Sequence, residues 1–287
     1  MKNTQKMNFK DQMIEINHLQ FRIRRHGKGK PILALHGFAQ NAESWDRLSI
    51  DGYEVFALDL IGHGKSDKPI DQEPYQLNAI LDQIHQIIHQ LFKDRSFILL
   101  GYSMGGRIAL NYVETYGSNS VDDLIIESSS LGISDEKRRL KRRTSDEKLA
   151  SEIENKGTTW FSEFWGGLPI FASQKNLDQS LKNALHKQRI ENSPHALALT
   201  LRSTGQGQIP AIKNERLKMQ EKMLYLAGAL DLKYTKLART HFKDVSVIVS
   251  GVGHNIHLEA PVEYNRLIKA HLEKEKYENQ AHLDSSN

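Results

Sequence analysis

The sequence contains no cysteine among its 287 residues and has no long hydrophobic run. Without cysteine the chain cannot form disulfides, thiolate nucleophiles or Cys-based zinc and iron–sulfur sites. No apolar run approaches the roughly 20 residues that a membrane-spanning helix needs. The basic N-terminal residues also lack the apolar stretch of a signal peptide. We therefore expect a cytoplasmic protein with no membrane insertion.

The chain also has only a small excess of positive over negative charge. The formal net charge is +4, with 39% hydrophobic and 26% charged residues, so a packed core is feasible and wholesale disorder is not expected. Much of the positive charge lies in "EKRRLKRRTSDEK" (136–148), a pattern typical of a solvated helix face. A nucleic-acid binder needs a continuous basic face with aromatic platforms. A net charge of this size suits an anionic small molecule at least as well as nucleic acid, and we expect a small anionic partner and no nucleic acid.

Short apolar runs alternate with helical or turn-rich segments through the first 130 residues and again near the C-terminus. The predicted strands are 32–35, 55–60, 97–100, 124–126, 223–227 and 245–249. Residues 77–92 carry apolar side chains at helical spacing, and a further helix is predicted over 261–274, with Pro261 in its first turn. This alternation predicts an α/β fold, with a mostly parallel, doubly wound sheet covered on both faces.

Residues 133–220 interrupt this alternation. They are rich in charged and amide side chains, show helical signatures and contain no convincing apolar strand. The predicted organisation is therefore an α/β core in two parts, 1–132 and 221–274, with a helical cap insertion at 133–220 between them. The polar residues 275–287 are predicted to form a disordered tail.

The motif that carries chemistry is "GYSMGGR" (101–107). Its first five residues fit the G-x-S-x-G pattern, which presents a serine on a sharp turn between a strand and a helix. Small residues at Gly101 and Gly105 are required because strand and helix approach closely there. The motif follows the apolar run "SFILL" and precedes a helical pattern, so Ser103 is a candidate nucleophile or base.

Three further motifs, one before Ser103 and two after it, lie in the chain order of an α/β-hydrolase. "LALHGF" (33–38) ends a strand, so the backbone N–H groups of Phe38 and Met104 can form an oxyanion hole. Asp231 follows the strand "MLYLA", and His254 lies in the glycine-flanked "GVGHN". The sequence thus predicts a Ser103–His254–Asp231 triad.

Two other histidines lie near this machinery. His36 belongs to the turn after the first of these strands, and His63 lies in "DLIGHGKS" (59–66). We interpret both as structural, with His36 bracing its loop by hydrogen bonds. "GHGKS" lacks the spacing of a phosphate-binding P-loop.

The motifs "LHGF", "DLIGHGKSD", "GYSMGGRIAL" and "GHNIHLEAP" together resemble the α/β-hydrolase superfamily. The Arg in "SMGGR" and the "GHNxHxExP" pattern resemble one branch of it, the menaquinone-biosynthesis synthases that make 2-succinyl-6-hydroxy-2,4-cyclohexadiene-1-carboxylate. The acid loop "GALDLKY" departs from the branch, which more often has an acidic residue after the glycine, but Asp231 and Lys233 are in place.

The resemblance implies elimination of pyruvate from 2-succinyl-5-enolpyruvyl-6-hydroxy-3-cyclohexene-1-carboxylate. In that reaction a proton leaves the carbon next to a ketone, and no water is added. Ser103 Oγ would remove the proton after passing its own to His254, which Asp231 orients. The enolate would be stabilised by the oxyanion hole. No metal or organic cofactor is implied.

The resemblance also explains cations in the cavity, because a substrate with three carboxylates requires them and Arg binds carboxylates bidentately. Arg107 lies one helical turn after Ser103. By position in the motif pattern, Arg142 and Arg189 match the other arginines of the branch. Tyr102 and Trp165 are expected to line the cavity, although Trp165 also fits an ordinary core position in the cap.

Three alternatives remain open at this point. A carboxylesterase or a carbon–carbon bond hydrolase would use the same fold and triad. A catalytically silent hydrolase-like binding protein is a second alternative, and the complete triad argues against it. A nucleic-acid binder is the third, supported only by the basic 136–148 segment. The sequence leaves the oligomeric state undetermined, whether monomer or homo-oligomer.

Overall fold

A computed structural model describes residues 8–212, 219 and 222–284 of the chain. Its centre is an eight-stranded sheet in the order β1-β2-β4-β3-β5-β6-β7-β8. The first two strands form an antiparallel hairpin that pairs antiparallel with β4, and all the other pairings are parallel. The strands are β1 (Lys10–Ile16), β2 (Leu19–Gly27), β3 (Lys30–Leu35), β4 (Tyr53–Leu58), β5 (Phe97–Tyr102), β6 (Val121–Glu127), β7 (Met223–Gly228) and β8 (Ser246–Val249).

Eight α-helices occur in the described part of the chain. They are α1 (Leu77–Phe92), α2 (Met104–Tyr116), α3 (Glu136–Gly166), α4 (Gln179–Ile190), α5 (Pro194–Thr204), α6 (Leu232–His241), α7 (Ile256–Glu259) and α8 (Pro261–Asp284). Short 3-10 helices cover Ala42–Trp45, Glu73–Tyr75 and Pro169–Asn176. None of the described helices has an apolar stretch long enough to cross a membrane.

The sheet is buried on both faces, as expected for parallel strands. Alternate side chains of β3 point into different cores: Leu33 and Leu35 into one, Ile32 and Ala34 into the other. The first core contains the apolar faces of α1, α2 and α6, and the second contains that of α8. The doubly wound α/β sheet predicted from the alternating pattern is therefore confirmed.

Helices α3, α4 and α5 form a cap over the carboxyl ends of the strands. Asp135 and Asp178 begin α3 and α4 by accepting backbone N–H groups of the first turn. α3 kinks at Gly157, whose φ is 79°, which allows its second half to turn over the cavity. A small apolar cluster joins α3 and α5 to the loop after β3; its members are Ala39, Ala150, Ile153, Phe161, Leu197, Ala198 and Leu201.

Two features differ from the sequence-based expectations. The β1–β2 hairpin was not predicted, because β1 is mostly exposed and because charged residues, including the buried Arg22, interrupt the apolar side chains of β2. The last helix continues to Asp284, past Lys274, where it was predicted to end. Residues 213–218 and 220 of the predicted cap, 221 of the predicted core and 285–287 of the predicted tail lie outside the described residues.

Candidate active site

Ser103 lies on a strained turn between β5 and α2. Its φ is 51°, a left-handed conformation that side chains other than glycine rarely adopt. The turn is held by hydrogen bonds on both sides. Ser103 N–H donates to Glu127 O at 2.9 Å, and Gly105 N–H donates to His36 O at 3.1 Å. The strain places the serine hydroxyl at the start of the helix, facing the cavity.

The glycines around Ser103 have a steric reason. A Cβ atom on Gly105 would lie 2.2 Å from Leu35 O, and one on Gly101 would lie 2.5 Å from Gly105 O. Both contacts are with backbone, which cannot move aside without disturbing the sheet. The glycines therefore allow α2 to start directly against β3 and β5, and this close approach brings Ser103 next to the loop after β3.

The structure brings the three predicted triad residues together. His254 Nε2 lies 3.1 Å from Ser103 Oγ, and His254 Nδ1 lies 2.6 Å from Asp231 Oδ2. Asp231 also accepts the backbone N–H of Tyr234, at 3.3 Å, in the first turn of α6. A Cβ on Gly228 would lie 1.9 Å from Gly253 O, so glycine at the end of β7 lets the acid and histidine loops touch. This geometry can pass a proton from the serine to the histidine.

The two predicted oxyanion donors also lie beside Ser103. Phe38 and Met104 line the same cavity as the serine. Among the described residues, no group accepts a hydrogen bond from the backbone N–H of either one. Met104 N–H belongs to the first turn of α2, where N–H groups have no partner within the helix. Both donors are therefore available to a negatively charged oxygen formed next to Ser103.

His36 and His63 are buried behind this turn and have structural contacts. His36 Nδ1 donates to Gly37 O at 2.8 Å, and its Nε2 accepts the backbone N–H of Leu60 at 3.1 Å. The bracing role predicted for His36 is therefore confirmed. His63 Nδ1 lies 3.0 Å from Ile61 O, and its ring packs edge-on against Phe38. Neither histidine is placed to reach Ser103 Oγ, since His254 Nε2 occupies that position.

The burial of these two histidines predicts that the free energy of unfolding is smaller in acid than at neutral pH. Burial lowers the pKa of His36 to about 4 and that of His63 to about 3, whereas an unfolded histidine titrates near 6.5. Between those values the unfolded chain binds protons that the folded chain does not, so the free energy of unfolding falls as the pH falls. From pH 7.5 to pH 5 we expect each histidine to remove about 2 kcal/mol. Urea unfolding at the two pH values measures this.

A variant tests the assignment. His63→Gln should show a smaller difference in unfolding free energy between pH 7.5 and pH 5 than the unmodified protein. The control is His18→Gln, since the side chain of His18 is almost fully exposed. An unchanged pH difference in His63→Gln would show that other groups cause the acid sensitivity.

The triad opens into a cavity of about 620 Å³ between the core and the cap. Tyr102 and Trp165 line it, as predicted from the sequence. Trp165 also packs edge-on against Phe38, with ring centroids 5.3 Å apart. The cap contributes most of the apolar wall: Leu149, Trp160, Phe164, Leu168, Ile170 and Phe171. Burial raises the pKa of Tyr102 far above its usual value, so its hydroxyl remains protonated at neutral pH.

Arg107 is the most unusual residue in the cavity. Its side chain is 7% exposed, and among the described residues its guanidinium has no hydrogen-bond or ion-pair partner. Burial lowers the pKa of Arg107; Tyr234 and Asp146 oppose this shift and Arg142 adds to it, but a guanidinium remains charged at neutral pH. A buried, unpaired cation is costly unless a ligand supplies the counter-charge. The residue is thus prepared to receive an anion.

The other two predicted arginines line the same cavity, with different partners. Arg142 is already paired: its Nε donates to Asp146 at 2.7 Å and its Nη1 to Gln206 at 2.6 Å. Among the described residues Arg189 donates one hydrogen bond, at 3.4 Å to Gln174, and its guanidinium lies 5.7 Å from the centre of the Phe171 ring; burial lowers its pKa. Of the two, Arg189 is therefore the more available to a carboxylate.

Sequence reasoning did not assign a binding role to Lys233. Its Nζ lies 3.4 Å from Gln206 Oε1 and 3.5 Å from the hydroxyl of Tyr234. Both partners are neutral, so this cation at the cavity wall is not neutralised. The feature of the sequence that could have indicated this role is its position in the acid loop, two residues after Asp231. Gln174, Gln206 and Asn255 were also not foreseen among the lining residues.

The side chains around the cavity also decide whether it could hold a metal ion or a cofactor. Over residues 8–212, 219 and 222–284, no three histidine or carboxylate side chains gather in a group that could hold a metal ion. The cavity instead combines a hydrogen-bonded triad, two free backbone donors and several cations. Such a site can remove or transfer a proton, or attack a carbonyl, in an anionic organic molecule.

The chain is similar in sequence to a family of known proteins and to individual members of it. The family model described as alpha/beta hydrolase fold matches residues 30–228. A Salmonella typhimurium protein named 2-succinyl-6-hydroxy-2,4-cyclohexadiene-1-carboxylate synthase is 29% identical over 244 residues, which cover 83% of this chain and 93% of that protein. A Bacillus subtilis protein, provisionally named as the same synthase, is 28% identical over 247 residues, or 84% and 89% of the two chains.

A solved structure is also similar to the chain. MenH from S. aureus is 31% identical, with a TM-score of 0.78, and the match covers 95% of this chain and 100% of that one. The match includes the cap as well as the core, because it leaves little of either chain uncovered.

Proposed function

The chain belongs to the α/β-hydrolase family and, within it, to the MenH synthases, and on that premise we propose that it is a pyruvate-eliminating lyase of menaquinone biosynthesis. Its substrate is 2-succinyl-5-enolpyruvyl-6-hydroxy-3-cyclohexene-1-carboxylate, and its product is 2-succinyl-6-hydroxy-2,4-cyclohexadiene-1-carboxylate. The observation that carries the proposal is Arg107, a buried cation without a partner one helical turn after Ser103.

The triad acts as a base in this proposal. Ser103 Oγ gives its proton to His254 Nε2, 3.1 Å away, and removes the proton from the ring carbon next to the ketone. Asp231 keeps the imidazole oriented and stabilises its cationic form. The C–O bond to the enolpyruvyl group then breaks, a diene forms in the ring, and the departing group takes up a proton to become pyruvate. No water enters the reaction.

In this proposal, backbone N–H groups stabilise the negative charge that develops on the substrate during this step. Removing a proton next to a ketone shifts charge to the ketone oxygen. Phe38 and Met104 line the cavity together with Ser103, and their backbone N–H groups have no acceptor among the described residues, so in this proposal they donate to that oxygen.

The cations of the cavity bind the three carboxylates of the substrate. Arg107 and Arg189 are open to bidentate contact with a carboxylate. Lys233 supplies a third cation without a counter-charge. Arg142 contributes a charge that Asp146 partly neutralises, so its contact with substrate is weaker than that of Arg107. The partner in this proposal is thus a small anion, and the reaction takes place in the cytoplasm.

An ester hydrolase uses the same triad, so the proposal needs a test that separates the two. Purified protein is given the enolpyruvyl substrate, and pyruvate release is measured together with diene absorbance. We expect the two products to appear in equal amounts and at rates far above background. Pyruvate release at the background rate, together with rapid turnover of neutral p-nitrophenyl esters, would instead assign the protein to the esterases.

A further inference from the structure

Glu127 is a fully buried carboxylate close to the triad, and the reaction described above does not use it. It ends β6, next to the strand that leads into Ser103. Its side chain points away from β6 to the loop that follows His254. There Oε1 accepts the backbone N–H groups of Ile256 at 2.6 Å and His257 at 3.2 Å. Oε2 lies 2.7 Å from His257 Nδ1.

The backbone of the same residue holds the serine. Glu127 O accepts the N–H of Ser103 at 2.9 Å. One residue therefore holds Ser103 and the loop that carries His254: its carbonyl fixes the strained turn at Ser103, and its carboxylate fixes the backbone two and three residues after His254. The triad acid is a different residue, since Asp231 occupies His254 Nδ1.

The surroundings leave this carboxylate little freedom. His257, its partner, is 3% exposed and stacks on Trp45 with ring centroids 4.3 Å apart. The His257 ring also meets Tyr102 edge-on at 4.9 Å, and Tyr102 in turn lies 5.3 Å from the ring of His254. A change in the reach of Glu127 is therefore transmitted to the histidine loop, because the packed rings leave no space for another arrangement.

We infer that Glu127 is a positioning residue that sets the distance between Ser103 Oγ and His254 Nε2 for the proposed elimination. It does so as an acceptor of fixed length, joining the end of β6 to the two N–H groups after His254. This role depends on the length of the side chain, which sets how far the carboxylate extends from β6. The inference rests on the proposed function for its substrate, but the distance it concerns governs any reaction of Ser103.

Two variants separate reach from charge. Glu127→Gln keeps both the length and an acceptor oxygen for Ile256 and His257, so kcat should stay within about threefold of the unmodified enzyme. Glu127→Asp keeps the charge but withdraws the carboxylate by about 1.5 Å. Because a misplacement of about 1 Å can cost 10²-fold in rate, Glu127→Asp should lower kcat about 10- to 100-fold. KM should change less than about twofold in both, since the cavity cations are untouched.

The matched control is a second acid–histidine pair, partly buried, whose acid lies on the same strand. Asp123 of β6 lies 3.0 Å from His271 Nε2 on α8, and over the described residues no hydrogen bond joins Asp123 to the triad. Asp123→Asn should match the unmodified enzyme in kcat, whatever it does to the melting temperature. The variants are compared at a temperature where circular dichroism shows each to be folded.

A second readout is independent of the proposed substrate. A fluorophosphonate labels Ser103 by attack of its Oγ, so the labelling rate reports the Ser103–His254 pair without the proposed substrate. The rate should fall in Glu127→Asp but not in Glu127→Gln, because neither substitution changes the oxyanion donors or the cavity residues. If the unmodified protein fails to release pyruvate, the proposed function is lost while labelling still tests the positioning role. Equal labelling and kcat in Glu127→Asp and the unmodified protein would overturn the inference, as would an equal loss in both variants.

Discussion

Replacing Ser103 by alanine is expected to lower kcat for pyruvate release about 10²- to 10⁴-fold, the usual contribution of a positioned base. The reason is geometric: Ser103 Oγ is hydrogen-bonded to His254 and faces the cavity, and alanine leaves no group to accept the ring proton. KM should change little, because Arg107 and Arg189 are unaffected. Initial rates measured over a range of substrate concentrations separate the two constants.

The control for this variant is Ser49→Ala, at an exposed serine outside the cavity, which should leave both constants unchanged. Folding of Ser103→Ala is checked by its melting temperature. Because the left-handed φ of 51° at Ser103 strains any side chain, alanine should not relieve the strain. Full synthase activity in Ser103→Ala would show that another group removes the proton.

Arg107→Ala is expected to act on binding, raising KM about 10- to 100-fold with a smaller effect on kcat. A hydrogen bond to a charged group contributes about 1.5–3 kcal/mol, and Arg107 has no other partner among the described residues to share it with. Substrate titration by initial rates measures the change. Arg107→Lys should recover only part of the loss, because an ammonium cannot form the bidentate contact.

Arg107 also predicts an opposite effect on stability. Removing an unpaired buried cation relieves a desolvation penalty, so Arg107→Ala without ligand should unfold at a temperature equal to or above that of the unmodified protein. Arg266→Ala is the control, since Arg266 is exposed and its one ion pair among the described residues is with Glu263. Unchanged KM in Arg107→Ala, or a marked loss of melting temperature, would mean that this arginine is structural.

The triad could be predicted from sequence because each of its members follows a strand in a glycine-marked loop. Ser103 lies between Gly101 and Gly105, and Gly253 directly precedes His254. Gly101 and Gly105 are required because backbone segments approach closely there. Local sequence therefore carries the same constraint that the tertiary structure imposes. The neutral, bracing role of His36 could be foreseen for a similar reason, since it lies in the turn that follows β3.

Other features could not be predicted, because no local pattern marks them. Glu127 looks like any acid at the end of a strand, and its partners lie about 130 residues later in the chain. Lys233 is one of many lysines until the fold places it beside Gln206. β1 is the exposed edge strand and Arg22 is a buried charge in β2, so polar residues conceal the apolar alternation of the hairpin. The bond of Arg142 to Gln206 also lacks a local signal, because the two residues lie 64 positions apart.

The central claim is that Ser103 removes a carbon-bound proton and does not attack a carbonyl. The most direct test uses substrate deuterated at the ring carbon next to the ketone, with the ring product analysed by mass spectrometry. The mechanism predicts that each turnover yields one pyruvate and one diene from which the deuterium has been lost, with no hydroxyl added. A ring product that keeps the deuterium, or that gains a hydroxyl from water, would contradict it.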